Sequence, residues 1–213
     1  MNEPLPGWVP PDRGALFVIS GPSGVGKSTL VAATLAAIEG LSFSVSATTR
    51  EPREGEVNGE AYHFLTRERF QALQEADAFL ESATVYGRDY GTLRQPTEEA
   101  LSQGRSLLLD IDVQGARQIR ERMPEAVHIF VAPPSFEILR QRLNGRGTDD
   151  AQTIERRMTQ AAEQLGGCGE YDFVVVNDVL DTALRTFQGI VLAELSRVRR
   201  RPSVIARIAT AAG

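Results

Sequence analysis

The stretch Gly21-Pro-Ser-Gly-Val-Gly-Lys-Ser28 decides the fold of this chain. It fits the phosphate-loop pattern G-x-x-x-x-G-K-[ST], in which glycines allow successive backbone N–H groups to turn inward and hold phosphate oxygens. Lys27 is the only lysine among 213 residues, so 22 of the 23 lysine and arginine side chains are arginines. A compact ammonium group fits such a cradle, whereas a planar guanidinium does not fit it in the same way. The pattern predicts a nucleoside-triphosphate site, and a glycine-rich turn without a ligand is the alternative.

The residues on both sides of this loop predict a strand before it and a helix after it. An apolar run at 15–20 is typical of a buried parallel strand, and apolar residues from Leu30 to Ile38 recur at helical spacing until Gly40. The helix would direct its N-terminus at the phosphates, and the Ser28 hydroxyl would be a ligand for Mg²⁺. The predicted triphosphate-binding residues are Gly21, Pro22, Ser23, Gly24, Val25, Gly26, Lys27, Ser28 and Thr29.

Strand-like and helix-like segments alternate along the rest of the chain. This order predicts an α/β fold with a central parallel sheet flanked by helices, as in phosphate-loop kinases. Strands are predicted at 15–20, 42–48, 62–65, 106–112, 127–131 and 171–176, with an extended stretch at 79–86. Helices are predicted from the loop to Gly40 and at 67–76, 97–103, 114–122, 136–143, 150–165 and 182–198.

Composition excludes several other classes of protein. The net charge of −5 disfavours a general nucleic-acid binder, and we expect no nucleic-acid partner. No apolar run approaches the roughly 18 to 20 residues of a membrane span, so no membrane association is expected. The first 14 residues contain four prolines and no apolar segment of the signal-peptide type, and they predict a flexible extension. A cytoplasmic protein is the expectation, and the lone Cys168 excludes an internal disulfide.

A second candidate ligand for Mg²⁺ ends the predicted strand at 106–112. The run Leu107-Leu-Leu-Asp110 has the form of the second phosphate-loop signature, whose carboxylate orients Mg²⁺ through water. A buried strand that ends in a helix-capping aspartate is the alternative. Because the run accompanies a phosphate loop, we assign Asp110 to the metal site.

The segment at 45–62 carries a family resemblance. Its pattern S-x-T-T-R-x-P-R-x-G-E-x-x-G-x-x-Y is similar to the nucleoside-monophosphate site of guanylate kinases. Further pieces resemble the same family in the same order, and together they cover roughly residues 14–197. They are F-L-E-S-A at 79–83, Y-G-T at 90–92, L-D-I-D-V-Q-G at 109–115, R-L-N-G-R-G at 142–147, R-R-M at 156–158 and V-N-D at 176–178.

The resemblance implies transfer of the γ-phosphoryl group of ATP to GMP with Mg²⁺, and it implies a site for GMP. Glu81 holds the position at which one carboxylate accepts the guanine N1–H and N2–H. Arg50 and Arg53 lie three residues apart with Pro52 between them, so both guanidinium groups can converge on one phosphate, although a solvated charged loop is the alternative. The implied GMP-binding residues are Ser46, Arg50, Arg53, Tyr62, Glu81, Tyr90, Gly91, Thr92 and Asp112.

The resemblance also implies catalytic residues and a division of the chain. Lys27, Arg142, Arg146 and Arg157 match positions that contact ATP and the transferring group, and Asn177 matches a position near adenosine. The implied parts are an extension at 1–13, a core at 14–47, 93–137 and 170–197, a GMP-binding insert at 48–92, a lid at 138–169 and a basic tail at 198–213.

Two alternative functions remain open at this point. A non-catalytic guanylate-kinase-like binding module is one alternative function, although such modules typically have damaged phosphate loops and no functional lid. A kinase for another monophosphate is the second.

The chain departs from the family at Gly87-Arg-Asp89, where Gly-Asn-Tyr is frequent. We expect a monomer or a weak homo-oligomer, and a tail that forms a frayed helix end and a solvated linker.

Overall fold

The computed structural model describes residues 9–85, 87–145 and 150–210, so the predicted site residue Arg146 lies outside the described residues. The chain forms nine strands and eight α-helices within these ranges. The strands are β1 (Leu16–Ser20), β2 (Leu41–Phe43), β3 (Ala47–Thr48), β4 (His63–Phe64), β5 (Phe79–Val85), β6 (Arg88–Leu93), β7 (Ser106–Asp110), β8 (Val127–Ala132) and β9 (Phe173–Val176). The helices are α1 (Lys27–Ala37), α2 (Arg67–Glu75), α3 (Arg94–Ser102), α4 (Val113–Arg122), α5 (Phe136–Asn144), α6 (Ala151–Gly166), α7 (Leu180–Leu195) and α8 (Pro202–Thr210).

The central sheet has five parallel strands in the order β2-β7-β1-β8-β9. Every residue of β1 and β8 is buried, as expected for strands covered by helices on both faces. One core lies between the sheet and the helices α1, α5, α6 and α7, and a second lies between the sheet and α3 and α4. The predicted α/β fold with a parallel sheet is therefore confirmed. Ligands of such sheets bind beyond the carboxyl ends of the strands.

A second sheet of four strands, in the order β4-β3-β6-β5, was not predicted. The single strand expected at 42–48 is wrong, because β2 joins the central sheet whereas β3 joins the second sheet. The chain leaves the central sheet after Ser44, whose backbone N–H donates to Leu108 at 2.9 Å. Strand β6 was also missed, since its charged residues and Gly91 do not give the apolar alternation that predicts a strand.

Helix α4 fixes the second sheet to the core. Strand β5 is an edge strand, and its free backbone groups are satisfied by side chains of α4. The Gln118 amide accepts from the N–H of Ser82 and donates to its carbonyl, both at 3.1 Å, while Arg122 donates to the carbonyls of Phe79 and Leu80. This side-chain ladder positions the second sheet beside the carboxyl edge of the central one.

The terminal segments of the described chain meet. The Asp12 carboxylate accepts from the backbone N–H and the hydroxyl of Ser203 at the start of α8, and its own N–H donates to the carbonyl of Arg200 at 2.8 Å. Arg200 is buried, pairs with Glu194 and donates to the carbonyl of Gly14. The expected frayed tail is wrong for 202–210, which form α8. No helix in the described ranges has the length and apolarity needed to cross a membrane.

Substitution Phe70→Ala should destabilise the protein strongly. Phe70 is fully buried and stacks on Phe79 with ring centroids 4.5 Å apart, in the small core beneath the second sheet. We expect a loss of about 3–5 kcal/mol in the free energy of unfolding, measured by urea titration with circular dichroism. Phe43→Ala is the matched control, since Phe43 is 48% exposed and should lose much less. Equal losses for the two variants would contradict a packed core at Phe70.

Candidate active site

The phosphate loop follows β1 directly and approaches three neighbouring elements closely. A Cβ atom on Gly21 would overlap the carbonyl oxygen of Val131 in β8, and one on Gly24 would lie 2.9 Å from Leu143 in α5. Gly24 and Gly26 both have φ near +89°, a conformation that glycine adopts without strain. The loop can therefore hold its shape only with glycine at these positions.

Asn177 supports the loop from the end of β9. Its side-chain amide donates to the carbonyl of Val25 at 2.7 Å, and it would lie only 2.5 Å from a Cβ atom on Gly26. The carbonyl of Asn177 in turn accepts from Arg142 at 2.9 Å. Asn177 is thus buried and engaged with the loop, so its predicted contact with ATP stays a prediction.

The N-terminus of α1 is open to an anion. The helix begins at Lys27, and its cap residue Gly26 offers no side chain to the first backbone N–H groups. These groups, together with the helix dipole, favour negative charge at this end. Ser23, Ser28 and Thr29 are exposed at the mouth of the loop, whereas Pro22 and Val25 are buried beneath it.

Lys27 and Asp110 form the charged centre of the loop. The ammonium group donates to the carbonyl of Gly21 at 2.6 Å and lies 3.9 Å from the Asp110 carboxylate at the end of β7. Burial lowers the pKa of Lys27, an effect that Asp110 opposes, and burial raises the pKa of Asp110, an effect that Lys27 opposes. Each charge therefore offsets the desolvation of the other.

The oxygen donors at this centre fit Mg²⁺. The cation prefers hard oxygen ligands and keeps several waters, so one hydroxyl and one carboxylate beside a phosphate chain suffice. Ser28 at the start of α1 and Asp110 at the end of β7 supply these two groups. Within the described ranges, no three His, Cys, Asp or Glu side chains form a cluster that could hold a metal without a phosphate.

The residues predicted to bind the acceptor phosphate lie on the loop between β3 and β4 and on β6. The Arg50 guanidinium lies 5.3 Å from the ring centroid of Tyr62, and the rings of Tyr62 and Tyr90 contact each other edge to face at 6.0 Å. A hydrogen bond to Tyr90 contributes to a raised pKa of Arg50, although a bond to Glu56 is the larger cause. Three of the predicted phosphate-binding residues are therefore brought together, and Arg53 is exposed nearby.

The predicted base-binding carboxylate is buried between the second sheet and α4. Glu81 is 5% exposed, and the Thr92 hydroxyl donates to its Oε1 atom at 2.7 Å. Burial, and secondarily the Asp112 carboxylate, raise the pKa of Glu81, while the Thr92 bond lowers it. Asp112 caps α4 by accepting from the N–H of Gly115 at 2.8 Å. The two carboxylates thus lie on either side of Gly115, where a ligand with N–H donors would be favoured.

Gly91 and Ser46 complete the lining of this pocket. A Cβ atom on Gly91 would lie 2.7 Å from the Phe79 ring and 2.9 Å from the carbonyl oxygen of Glu81, so only glycine lets β6 approach β5 here. Ser46 is half-buried at the start of β3, and its carbonyl accepts from His63 at 2.9 Å. The structure therefore places every predicted base-binding residue on the second sheet or at the start of α4.

The predicted catalytic arginines occupy two helices beside the phosphate loop. Arg142 lies in α5 and is held by the carbonyl of Asn177, while Arg157 lies half-buried in α6. Arg146 falls in the undescribed stretch between these helices, so its position stays a prediction. Arg142 is therefore linked to the phosphate loop through Asn177, and a place for Arg157 beside Lys27 stays a prediction.

Two contributions to the site were missed by sequence reasoning. Glu56 forms a bidentate ion pair with Arg50, and Asn177 supports the loop rather than standing free beside it. The Glu56 pair had a detectable signal, since an acidic residue six positions after Arg50 in a tight loop can fold back on it. The Asn177 contact spans 152 residues of sequence and had no local signal.

Comparison with known proteins agrees with this geometry. The family model described as guanylate kinase matches residues 13–194. A guanylate kinase of Parasynechococcus marenigrum is 52% identical over 177 residues, which are 83% of this chain and 97% of the relative. One of Alkalilimnicola ehrlichii is 47% identical over 193 residues, 91% of this chain and 95% of the relative.

A solved structure is also similar to this chain. The crystal structure of guanylate kinase from Anaplasma phagocytophilum has a TM-score of 0.65 and 34% sequence identity to this chain. The match covers 90% of this chain and 91% of that one.

Chemical labelling of Lys27 should report on the phosphate loop. Lys27 is the only lysine, so its side chain and the α-amino group are the only amines that an acylating reagent can modify. Because burial lowers the pKa of Lys27, its neutral, reactive form should appear at a lower pH than for an ordinary lysine of pKa 10.5. Saturating Mg·ATP should suppress its labelling, measured by peptide mapping. Labelling of Lys27 that is unchanged by Mg·ATP would contradict the assignment.

Proposed function

The chain belongs to the guanylate kinase family and is a nucleoside-monophosphate kinase, and we propose that its phosphate loop holds Mg·ATP while its second sheet holds GMP. One observation carries the proposal: two groups of cationic and N–H or O–H donors stand on separate parts of the fold. Lys27 and the open N-terminus of α1 form one, and Arg50 with two tyrosines forms the other. A phosphoryl transfer between two phosphates needs both sites.

The chemistry asks for little covalent work from the protein. The γ-phosphoryl group passes in line from ATP to a phosphate oxygen of GMP, through a transition state whose charge is spread over oxygens. Lys27 and the loop N–H groups would bind the donor phosphates, and Arg142, Arg146 and Arg157 would stabilise the developing charge. Mg²⁺, held through Ser28 and through water on Asp110, neutralises phosphate charge when bound.

The second sheet would position the acceptor. Arg50, Arg53, Tyr62 and Tyr90 would bind the GMP phosphate through charged and hydroxyl donors. Glu81 would accept the N1–H and N2–H groups of guanine, and Asp112, Ser46 and Thr92 would line the base. Since Gln118 and Arg122 hold the second sheet on α4, the acceptor and the donor are presented at one edge of the central sheet.

The same observations bear on the two alternatives. A non-catalytic binding module needs only the monophosphate site, whereas this chain keeps an ammonium group and a carboxylate paired in an open phosphate loop. A kinase for a ribose bisphosphate would have no base to recognise and no need for a desolvated carboxylate there, whereas dGMP presents the same guanine as GMP and is distinguished from it only by assaying both. Two relatives at 47% and 52% identity carry the name guanylate kinase, which favours GMP as the acceptor.

An ADP-release assay across GMP, IMP and AMP tests the acceptor. AMP presents a lone pair at N1 and has no N2 amine, so the Glu81 carboxylate would stay desolvated and unpaired. We expect native kcat/KM for AMP to be about 10⁴-fold below that for GMP, with IMP in between because it keeps N1–H alone.

Glu81→Gln should lose most of kcat/KM for GMP, so that the ratio of kcat/KM for GMP to that for AMP becomes smaller. The KM for ATP should stay unchanged. Glu98→Gln, at an exposed position of α3, is the matched control and should behave as native protein. Equal use of IMP and GMP by the native protein, or undiminished GMP selectivity in Glu81→Gln, would show that another residue reads the base.

Lys27→Ala tests the donor site independently. The variant lacks the only ammonium group at the loop, so we expect kcat to fall by about 10³-fold or more. Asp110 loses its partner in this variant, but its side chain is 29% exposed and can be solvated, so folding should be affected less than kcat. Thermal unfolding followed by circular dichroism checks this. A well-folded variant with near-native kcat would refute the role assigned to Lys27.

A further inference from the structure

Glu56 is a partly buried carboxylate to which the function proposed above assigns no role. It lies on the loop between β3 and β4, and its two oxygens accept from Nη1 and Nη2 of Arg50, both at 2.9 Å. The side chains of Arg50 and Glu56 are only 15% and 23% exposed. A two-point ion pair of this kind fixes the direction of the guanidinium plane as well as its position.

The carboxylate is itself held in place. Its Oε2 atom also accepts the backbone N–H of Arg53 at 2.8 Å. The pKa of Glu56 is lowered, first by the hydrogen bond from Arg50 and then by that from Arg53, so the group is ionised at neutral pH. Glu56 therefore links the two arginines that are predicted to bind one phosphate.

The donors of Arg50 divide into an occupied edge and an available edge. A guanidinium group has five N–H donors in a rigid plane. Both hydrogens on Nη1 are used, one by Glu56 and one by the carbonyl of Glu51 at 2.8 Å, and one on Nη2 is used by Glu56. The Nε–H and the second Nη2–H are used by neither Glu56 nor the Glu51 carbonyl, and they lie side by side on the edge left for a second anion and for Tyr90, itself a predicted phosphate ligand.

Aromatic rings restrict the same guanidinium from its faces. The Arg50 Cζ atom lies 5.3 Å from the ring centroid of Tyr62 and 5.7 Å from that of Phe64. Tyr90, another predicted phosphate ligand, also hydrogen-bonds to Arg50. The plane, the occupied edge and the neighbours of Arg50 are thus defined without any ligand.

We propose that Glu56 is a positioning residue that directs the available edge of Arg50 toward the phosphate of GMP. The inference rests on the proposed GMP site, and it deepens that site by naming what orders it. Glu56 touches no substrate in this role and acts through Arg50, while the backbone N–H of Arg53 holds the carboxylate in place.

A competing role for Glu56 would be that of a counter-ion which the phosphate must displace. Geometry favours positioning, because the bidentate contact occupies the end of the guanidinium and leaves an adjacent pair of donors for a second anion. The carboxylate and that anion would then approach the guanidinium from two different edges that share Nη2, and the positive charge of the guanidinium would offset the repulsion between them. A fixed fork binds a phosphate with less loss of side-chain freedom than a mobile one.

Steady-state kinetics of Glu56→Gln tests the proposal, with Glu54→Gln as the matched control on the same loop, where Glu54 is exposed. We expect Glu56→Gln to raise KM for GMP by about tenfold, with kcat at saturating GMP within about twofold and KM for ATP unchanged. Glu54→Gln should match native protein. Glu56→Asp, which keeps the charge on a shorter side chain, should recover part of the loss.

A double-mutant cycle with Arg50→Ala separates positioning from a structural role. Because Glu56 acts through Arg50, KM for GMP in Arg50→Ala/Glu56→Gln should equal that in Arg50→Ala alone. Three results would each overturn the proposal. They are a double variant whose KM for GMP is raised by the product of the two single effects, a lower KM for GMP in Glu56→Gln, and an unchanged KM for GMP in Glu56→Gln. Thermal unfolding of all variants guards against misfolding as the cause.

The cycle also distinguishes this inference from the proposed function. If Arg50→Ala leaves KM for GMP unchanged, the assignment of Arg50 to the GMP phosphate fails and the Glu56 inference fails with it. If Arg50→Ala raises KM for GMP while Glu56→Gln does not, only the Glu56 inference is overturned.

Discussion

The close approach of three glycines to three different elements is the constraint on which the site depends. Gly21 touches β8, Gly24 touches α5, and Gly26 lies against Asn177 at the end of β9. A loop this tightly enclosed has little freedom to change shape, so its N–H groups are ordered before any phosphate arrives. Preorganised donors lose less entropy on binding and need no rearrangement during the reaction. The same contacts explain why distant parts of the chain must fold correctly for the loop to form.

The two proposed phosphate sites solve the same electrostatic problem in the same way, by pairing a cationic side chain with a carboxylate. The phosphate loop must hold an anion, and its ammonium group is partly neutralised by Asp110. The guanidinium of the acceptor pocket must also hold an anion, and it is neutralised by Glu56. In the proposed base site, Glu81 is desolvated beside Asp112 and accepts hydrogen bonds from the hydroxyl and the backbone of Thr92. Guanine would supply the missing donors, so ligand binding completes the polar interactions that folding leaves incomplete.

Sequence reasoning identified the parts that carry local signals. The phosphate loop, the buried strands β1, β7 and β8 and the amphipathic helices all have the spacing or composition that their structures require. The extended segments predicted at 62–65 and 79–86 correspond to β4 and β5, but their assembly into a second sheet was missed. Strand β3 has only two residues and β6 contains glycine and charges, so tertiary contacts rather than propensity make them strands. Asn177 was placed near ATP by resemblance, yet its amide contacts Val25, a partner that only the tertiary structure shows.

The junction of Asp12 with Ser203 has a consequence for biosynthesis. The contact joins residues 191 positions apart, and the neighbouring contact of Arg200 with Gly14 spans 186. A ribosome releases the chain from its N-terminus, so the segment that leads into β1 must wait for nearly all of the protein before it finds its last partners. Closing so long a loop costs only slightly more entropy than closing a shorter one, because the cost grows with the logarithm of length. The phosphate loop, whose farthest contact is with Asn177, can therefore assemble before the clasp between the two terminal segments, which closes last.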